Sequence, residues 1–393
     1  NYVGVIGIGR VQRGKVKTNM PVVVIDREGN RKQGRVLQVL GFMGLERVEV
    51  AEAQAGDIIA FSGIEGIGIS DTLCAPDAVE QLPVLAVDEP TISMTFQVND
   101  SPFAGVKERS GGKFLTSRQL RDRLTRETQH NVALKVEDTQ DADKFKVSGR
   151  GELHLSILIE TMRREGYELA VSRPEVIIRE IDGVLQEPYE SLVVDMEEQF
   201  QGGVMGRLGE RKALLQNMEP DGKGRVRLDY LIPARGLIGF QTEFRTLTAG
   251  TGLLFHVFDH YGPKTEGSIG QRQNGVLISN GTGSSPAYAQ AAMQERGRLF
   301  IEPGEEIYEG QIVGIHAKDN DLTVNALRGK QLTNFRAAGK DDDEGLIPPI
   351  KFSLEQALEF IDDDELVEVT PKQIRLRKKL RTEVDRKRAS RAA

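Results

Sequence analysis

The chain has 393 residues, a formal net charge of -7 at pH 7, 39% hydrophobic residues and one cysteine, Cys74. At roughly 100–200 residues per domain this length calls for several domains, and the absence of any run near 18 apolar residues excludes a membrane-spanning helix. A lone cysteine has no partner to bridge and no basic-then-apolar leader opens the chain, so a reducing, cytoplasmic setting is expected.

The chain opens on Asn1, and Val3-Gly4-Val5-Ile6-Gly7-Ile8-Gly9 already reads as a strand in progress, so upstream sequence is expected. Residues 1–82 carry short strands at close spacing with glycine turns, the pattern of a small β-barrel. Strands are expected at Val22 to Ile25, Arg35 to Leu40 and Asp57 to Phe61, with hairpin turns at Arg13 to Lys17 and Asp26 to Asn30. The glycines at 4, 7 and 9 and at 63, 66 and 68 lack the order of a dinucleotide fingerprint and open no helix.

After Pro83 and Pro90, residues 83–174 read as strand (Ile92 to Val98), helix (Ser117 to Gln129), strand (Val132 to Glu137), strand (Lys144 to Ser148), helix (Glu152 to Glu165) and strand (Glu168 to Ser172). That order, β-α-β-β-α-β, is a ferredoxin-like module. Residues 175–261 repeat it: strand Glu190 to Met196, helix Gln201 to Lys212, strands Leu214 to Met218 and Gly224 to Ile232, helix Ala234 to Thr246, and strand Gly252 to Tyr261. Residues 262–393 are mixed and β-rich, with strands near Gly275 to Ile278, Glu306 to Val313, Leu322 to Asn325 and Leu366 to Val369. Helices are expected at Pro286 to Gly297 and at Ser353 to Ile361, the latter capped by Ser353. A polar loop spans Asn325 to Gly345, and charge is blocked beyond it: eleven acidic residues from Asp341 to Glu368, then ten Lys or Arg from Lys372 to Arg391.

Gly149-Arg150-Gly151-Glu152-Leu153-His154-Leu155, followed by apolar Leu158, Ile159 and Met162 at helical spacing, resembles the third domain of the translational GTPases. The order of barrel and two ferredoxin-like modules is similar to domains two, three and five of elongation factor G, with no room at Val176 to Glu187 for a fourth domain. Gln273 to Gly281, Glu309 to Gly314, Asn320 to Asn325 and Leu354 to Pro371 resemble the BipA (TypA) family rather than its relative elongation factor 4 (LepA).

The resemblance implies a ribosome-binding factor acting in large-subunit (50S) assembly and in stress- or cold-related translation. Its expected partners are ribosomal RNA of the large subunit near the A site, A-site tRNA, and an N-terminal GTPase domain that holds the GTP and magnesium. This chain has no Gly-x-x-x-x-Gly-Lys-Ser/Thr loop, so it is expected to carry no cofactor, and to be a monomer without a membrane partner. An elongation factor 4-type protein, or a ribosome-independent RNA-binding scaffold, is the alternative.

RNA affinity would come mainly from Lys and Arg meeting phosphates. Arg328, Lys330, Arg336 and Lys340 lie in the 325–345 loop, which reads either as an RNA contact or as a solvated loop. Arg375, Arg377, Lys378, Lys379 and Arg381 form a basic segment in which Ile374, Lys378 and Arg381 are helical neighbours. It suits RNA or a solvated tail, and its few leucines bury too little for a membrane. Arg207, Arg211 and Lys212 follow Gly202 and Gly203, whose bare amides suit either a phosphate or plain glycine capping, and Arg235 on the next helix is a further phosphate candidate. Gly149, Arg150, Gly151, Glu152 and His154 are read as a helix start and interdomain contact.

No catalytic or metal set is expected. His256 and His260, four apart in a strand, are about 13 Å apart at 3.3 Å per residue, and the acidic runs 341–344 and 362–365 read as solvated turns. The chain should therefore bind no GTP; isothermal titration yielding a micromolar affinity would contradict this.

Overall fold

A computed structural model describes residues 5–85, 90–267, 269, 272, 274–329 and 345–392. It is a β-rich α+β chain in two compact units, Asn1–Val87 with Gln129–Val132, and Asp88–Thr128 with Ala133–Ala393.

The first unit holds three small antiparallel sheets around Val22, Val24, Val36, Val39, Ala53, Ile59, Phe61 and Ile64. Two local expectations are corrected. Gly14 makes a turn at φ 70, but Lys15–Lys17 then pairs with Glu52–Gln54 as a strand. The expected Arg35 to Leu40 strand is two strands, Arg31–Val36 and Gln38–Met43, in different sheets. Val36 and Val39 are both fully buried, and an unbroken strand would send residues three apart to opposite faces. The chain therefore breaks at the exposed Leu37.

In the second unit, strands Ile92–Val98, Lys135–Asp138, Lys144–Gly149 and Leu169–Val171 alternate with helices Ser117–Thr128 and Glu152–Glu165. Leu155, Leu158, Ile159 and Met162 bury the inner stripe of the 152–165 helix, and Gly166 ends it at φ 100, a left-handed conformation that favours glycine. The same order recurs in Val184–Glu197, Gln201–Glu210, Leu214–Pro220, Arg225–Pro233, Phe240–Leu247 and Leu253–Pro263. Here the expected Ala234 to Thr246 helix is interrupted: a 3-10 turn at Ala234–Gly236 precedes Gly239, at φ 73, and the helix begins only after it.

The first of these sheets does not stop at its own edge. Leu169–Val171 pairs antiparallel with Glu365–Val369, and the sheet runs on through Ile374–Lys378, Gln311–His316, Val276–Ser279 and Leu322–Val324 to a total of 11 strands. Its core merges Phe96, Phe145, Leu155 and Leu169 with Val276, Leu358, Val367 and Leu376. The 354–360 helix covers this junction, and the expected Ser353 cap is present as a capping box with Gln356.

The basic segment is corrected as well. Residues 374–378 form a strand, hydrogen-bonded in register with 365–369 so that Glu365 lies opposite Lys378 and Glu368 opposite Arg375. Glu368 is fully buried and accepts from Arg375 Nη1 (3.0 Å), Ser101 Oγ (2.8 Å), Asn99 Nδ2 (3.1 Å) and Tyr308 Oη (2.5 Å). The same Asn99 amide donates to Glu168 (3.2 Å), whose carboxylate also accepts the Gly105 and Gly112 amides. Burial, reinforced by the Glu368 charge, holds the Tyr308 hydroxyl protonated well above its usual range.

Removing one partner of a buried ion pair strands the other charge, at a cost of about 3–5 kcal/mol. Glu368→Ala should lower stability by that amount, read as a lower urea midpoint. A change below about 0.5 kcal/mol, typical of a neutral surface site, would show that the network holds nothing together.

Candidate nucleic-acid interface

The motif at 149–155 builds a tight strand-to-helix corner. Gly149 ends its strand where a Cβ would lie 2.8 Å from His154 Nδ1. The Arg150 N–H donates to that nitrogen at 3.4 Å, and Thr91 Oγ1 donates to the Arg150 carbonyl. Burial lowers the His154 pKa, with Arg150 adding to the effect. Gly151 is an extended N-cap with no side-chain cap, and the Arg150 side chain faces solvent. Glu152, the first helical residue, has a buried Oε1 without a hydrogen-bond partner.

Much of the expected RNA-binding set is engaged inside the protein. Arg375, Arg377 and Lys378 are 4%, 1% and 2% exposed. Arg377 pairs with Asp100, and Lys378 with Asp321, Asp364 and Glu365. Arg235 is held by buried Glu187 and by the carbonyls of Thr265 and Gly267. Arg211 donates to the Gly236 and Ile238 carbonyls and to Glu243 and stacks on Phe240, pinning the 240–247 helix. These groups are spent on internal carboxylates and carbonyls, so none is free to meet a phosphate. Arg207 is more exposed but is bridged to Glu210 and Glu243. The Gly202 and Gly203 amides do not open the helical run either, since a 3-10 turn at Glu198–Phe200 precedes them.

Lys212, Arg328 and Lys379 are exposed, with Arg381 half-buried. Lys330, Arg336 and Lys340 lie outside the described residues.

A basic surface absent from the sequence-based expectations lies on the C-terminal helix, Glu383–Ala392. Thr382 caps it, exchanging hydrogen bonds with Asp385. Arg386 anchors it by donating to the Leu380 and Arg381 carbonyls and to Thr323. Lys387, Arg388 and Arg391 are exposed, and only Lys387 has an acidic partner among the described residues, Glu383. Positions 387 and 391 are i, i+4 and positions 388 and 391 are i, i+3, so the three form one cationic face. Lys379 lines a cleft of about 1020 Å³ between this helix and the 322–324 strand, together with Leu380 and Ser390. The sequence signals were Thr382-x-x-Asp385 and the cations beyond it.

Among the described residues no three His, Cys, Asp or Glu side chains could share a metal ion. His256 binds Glu190 and His260 binds Asp259. Asp362, Asp363, Asp364 and Glu365 are turned toward Arg173, Lys378 and Arg272. No described helix is long and apolar enough to cross a membrane.

Three family descriptions match successive parts of the chain: elongation factor Tu domain 2 at residues 4–74, elongation factor G C-terminus at 184–271, and TypA/BipA C-terminal domain at 274–383. The chain is similar along its whole length to proteins named large ribosomal subunit assembly factor BipA. Identity is 64% over 391 residues with that of Salmonella typhimurium, 62% over 391 with that of Haemophilus influenzae and 55% over 391 with that of Buchnera aphidicola. It spans 63–64% of the length of these relatives. The two modules of the second unit, the C-terminal region joined to the first of them through one sheet, and these matches lead to one assignment: the chain belongs to the TypA/BipA family of the translational GTPase superfamily.

Proposed function

We propose that this chain is the ribosome-gripping portion of a translational GTPase that acts on the large ribosomal subunit. On this reading residues 1–82 are a β-barrel, 83–174 and 175–261 are ferredoxin-like modules, and 262–393 are the RNA-binding end. GTP and magnesium belong to a separate GTPase domain, whose state the barrel and first module transmit. The observation that carries the proposal is the 64% identity over 391 residues to a protein named as a large-subunit assembly factor. The exposed cations of the 383–392 helix, close in sequence to Lys379 and Arg381, support an RNA partner because phosphate contacts supply most of the affinity of such surfaces. With Arg328 and the loop that follows it, they would meet ribosomal RNA near the A site and the tRNA there. Roles in cold or stress translation and a monomeric state complete the proposal.

Purified 50S subunits should bind the chain with an affinity that falls steeply with salt. Every cation withdrawn from a phosphate reduces the slope of log K against log salt by about 0.7–0.9. A Lys387→Ala, Arg388→Ala, Arg391→Ala triple variant should therefore flatten the slope by about 2 while melting normally. An unchanged slope and affinity would remove this helix from the interface. Shortening 325–345 should also weaken binding; undiminished binding would refute that loop's role.

A further inference from the structure

Glu152 sits where three parts of the second unit meet. It opens the 152–165 helix, and its Oε1 is buried without a hydrogen-bond partner. The backbone N–H of Gly239, at the left-handed turn before the 240–247 helix, faces its carboxyl group. Glu359, on the 354–360 helix, closes the same space: a Cβ added at Gly239 would lie 3.7 Å from Glu359 Cβ.

The other charges facing the cluster are already committed. His256, from the 253–263 strand, is bonded to Glu190 of the 184–197 strand at 2.5 Å, and Arg173 is bridged to Asp362 and Asp363. Arg211, Arg245 and Glu355 face Glu359 rather than Glu152. A carboxylate in this place would be poorly solvated, beside a second carboxyl group and with one oxygen unpartnered; a neutral carboxyl group fits at far lower cost.

We propose that Glu152 is a proton-dependent latch: neutral, it joins the 152–165 helix to the 239–247 segment and the 354–360 helix, and ionised it loosens that joint.

Burial first, then the Glu359 charge, pushes the Glu152 pKa up to about 8, against the opposing pull of the Gly239 N–H, His256 and Arg173. The ordinary value is 4.5. When the joint is open Glu152 releases its proton above that ordinary value; when closed it keeps the proton to about 8. The latch is thus at full strength below pH 4.5, weakens across the window from 4.5 to about 8, and has no strength left to lose above it.

Hydrogen exchange of the 393-residue chain, corrected for intrinsic base catalysis, tests this against Glu152→Gln, which mimics the neutral acid. The opening constant of amides in 239–247 and 354–361, taken as the ratio of wild type to variant, should rise by up to about tenfold per pH unit between about pH 5 and 8 and then level off. A ratio that stays flat across this range overturns the proposal. Glu359→Gln removes the neighbouring like charge and should move the transition to lower pH; an unmoved transition overturns the arrangement described. Should Glu152→Gln fail to fold, carbon-13 titration of the Glu152 carboxyl group in the wild-type chain decides: a midpoint near 4.5 refutes the latch and one well above it supports it.

Discussion

A single side-chain amide, that of Asn99, holds two buried glutamates, Glu168 at 3.2 Å and Glu368 at 3.1 Å, on either side of the seam between the 169–171 and 365–369 strands. Two carboxylates this deep are tolerated only with their lone pairs filled and a counter-charge in place. Arg375, Ser101, Tyr308 and the Gly105 and Gly112 amides meet those demands. The donors come from separate stretches of chain, so the network forms only when the 90–176 module and the C-terminal region are joined. The continuous sheet, the merged core and the placement of the 354–360 helix over the 152–165 helix all follow from that joint.

The same requirement explains the distribution of charge. The acidic block before residue 369 and the basic block after 371 neutralise one another across a hairpin: Glu368 with Arg375, and Glu365 with Lys378 and with Arg272 from a third segment. Buried pairs of this kind add little net stability compared with apolar packing, because desolvation offsets the attraction. They punish wrong pairing heavily, and here they fix the strand register. The exposed cations of the C-terminal helix lie beyond the hairpin, where Glu383 and Asp385 are the acids that remain. A net charge of -7 is therefore compatible with a basic binding surface, since much of the opposite charge is consumed internally.

Much of the candidate interface was legible as composition but not as geometry. The strand and helix order of both modules follows from apolar periodicity, and Gly149 and Gly151 mark the strand-to-helix corner. The 374–378 segment was misread although its signal was local: Ile374 and Leu376 alternate with Arg375 and Arg377, a period of two, while Leu380 completed a competing helical spacing. The alternation prevails because each face finds its own environment, the apolar core for Ile374 and Leu376 and the carboxylates of Glu368 and Asp100 for Arg375 and Arg377. Arg211 and Arg235 look like phosphate ligands in sequence, and nothing local to either reveals that a backbone carbonyl or Glu187 awaits it.

The sequence by itself determined the family, the order of elements, the cap at Ser353 and the presence of a motif that turns a strand sharply into a helix, because these depend on residues close together in the chain. Only the tertiary structure decided which charges are spent and which remain, since ion pairing joins residues as far apart as Asp100 and Arg377. It also decided that Glu152, polar and placed at a helix start where a carboxylate is ordinarily welcome, is enclosed by Gly239 and Glu359. Burial, not the helix end, then governs its proton.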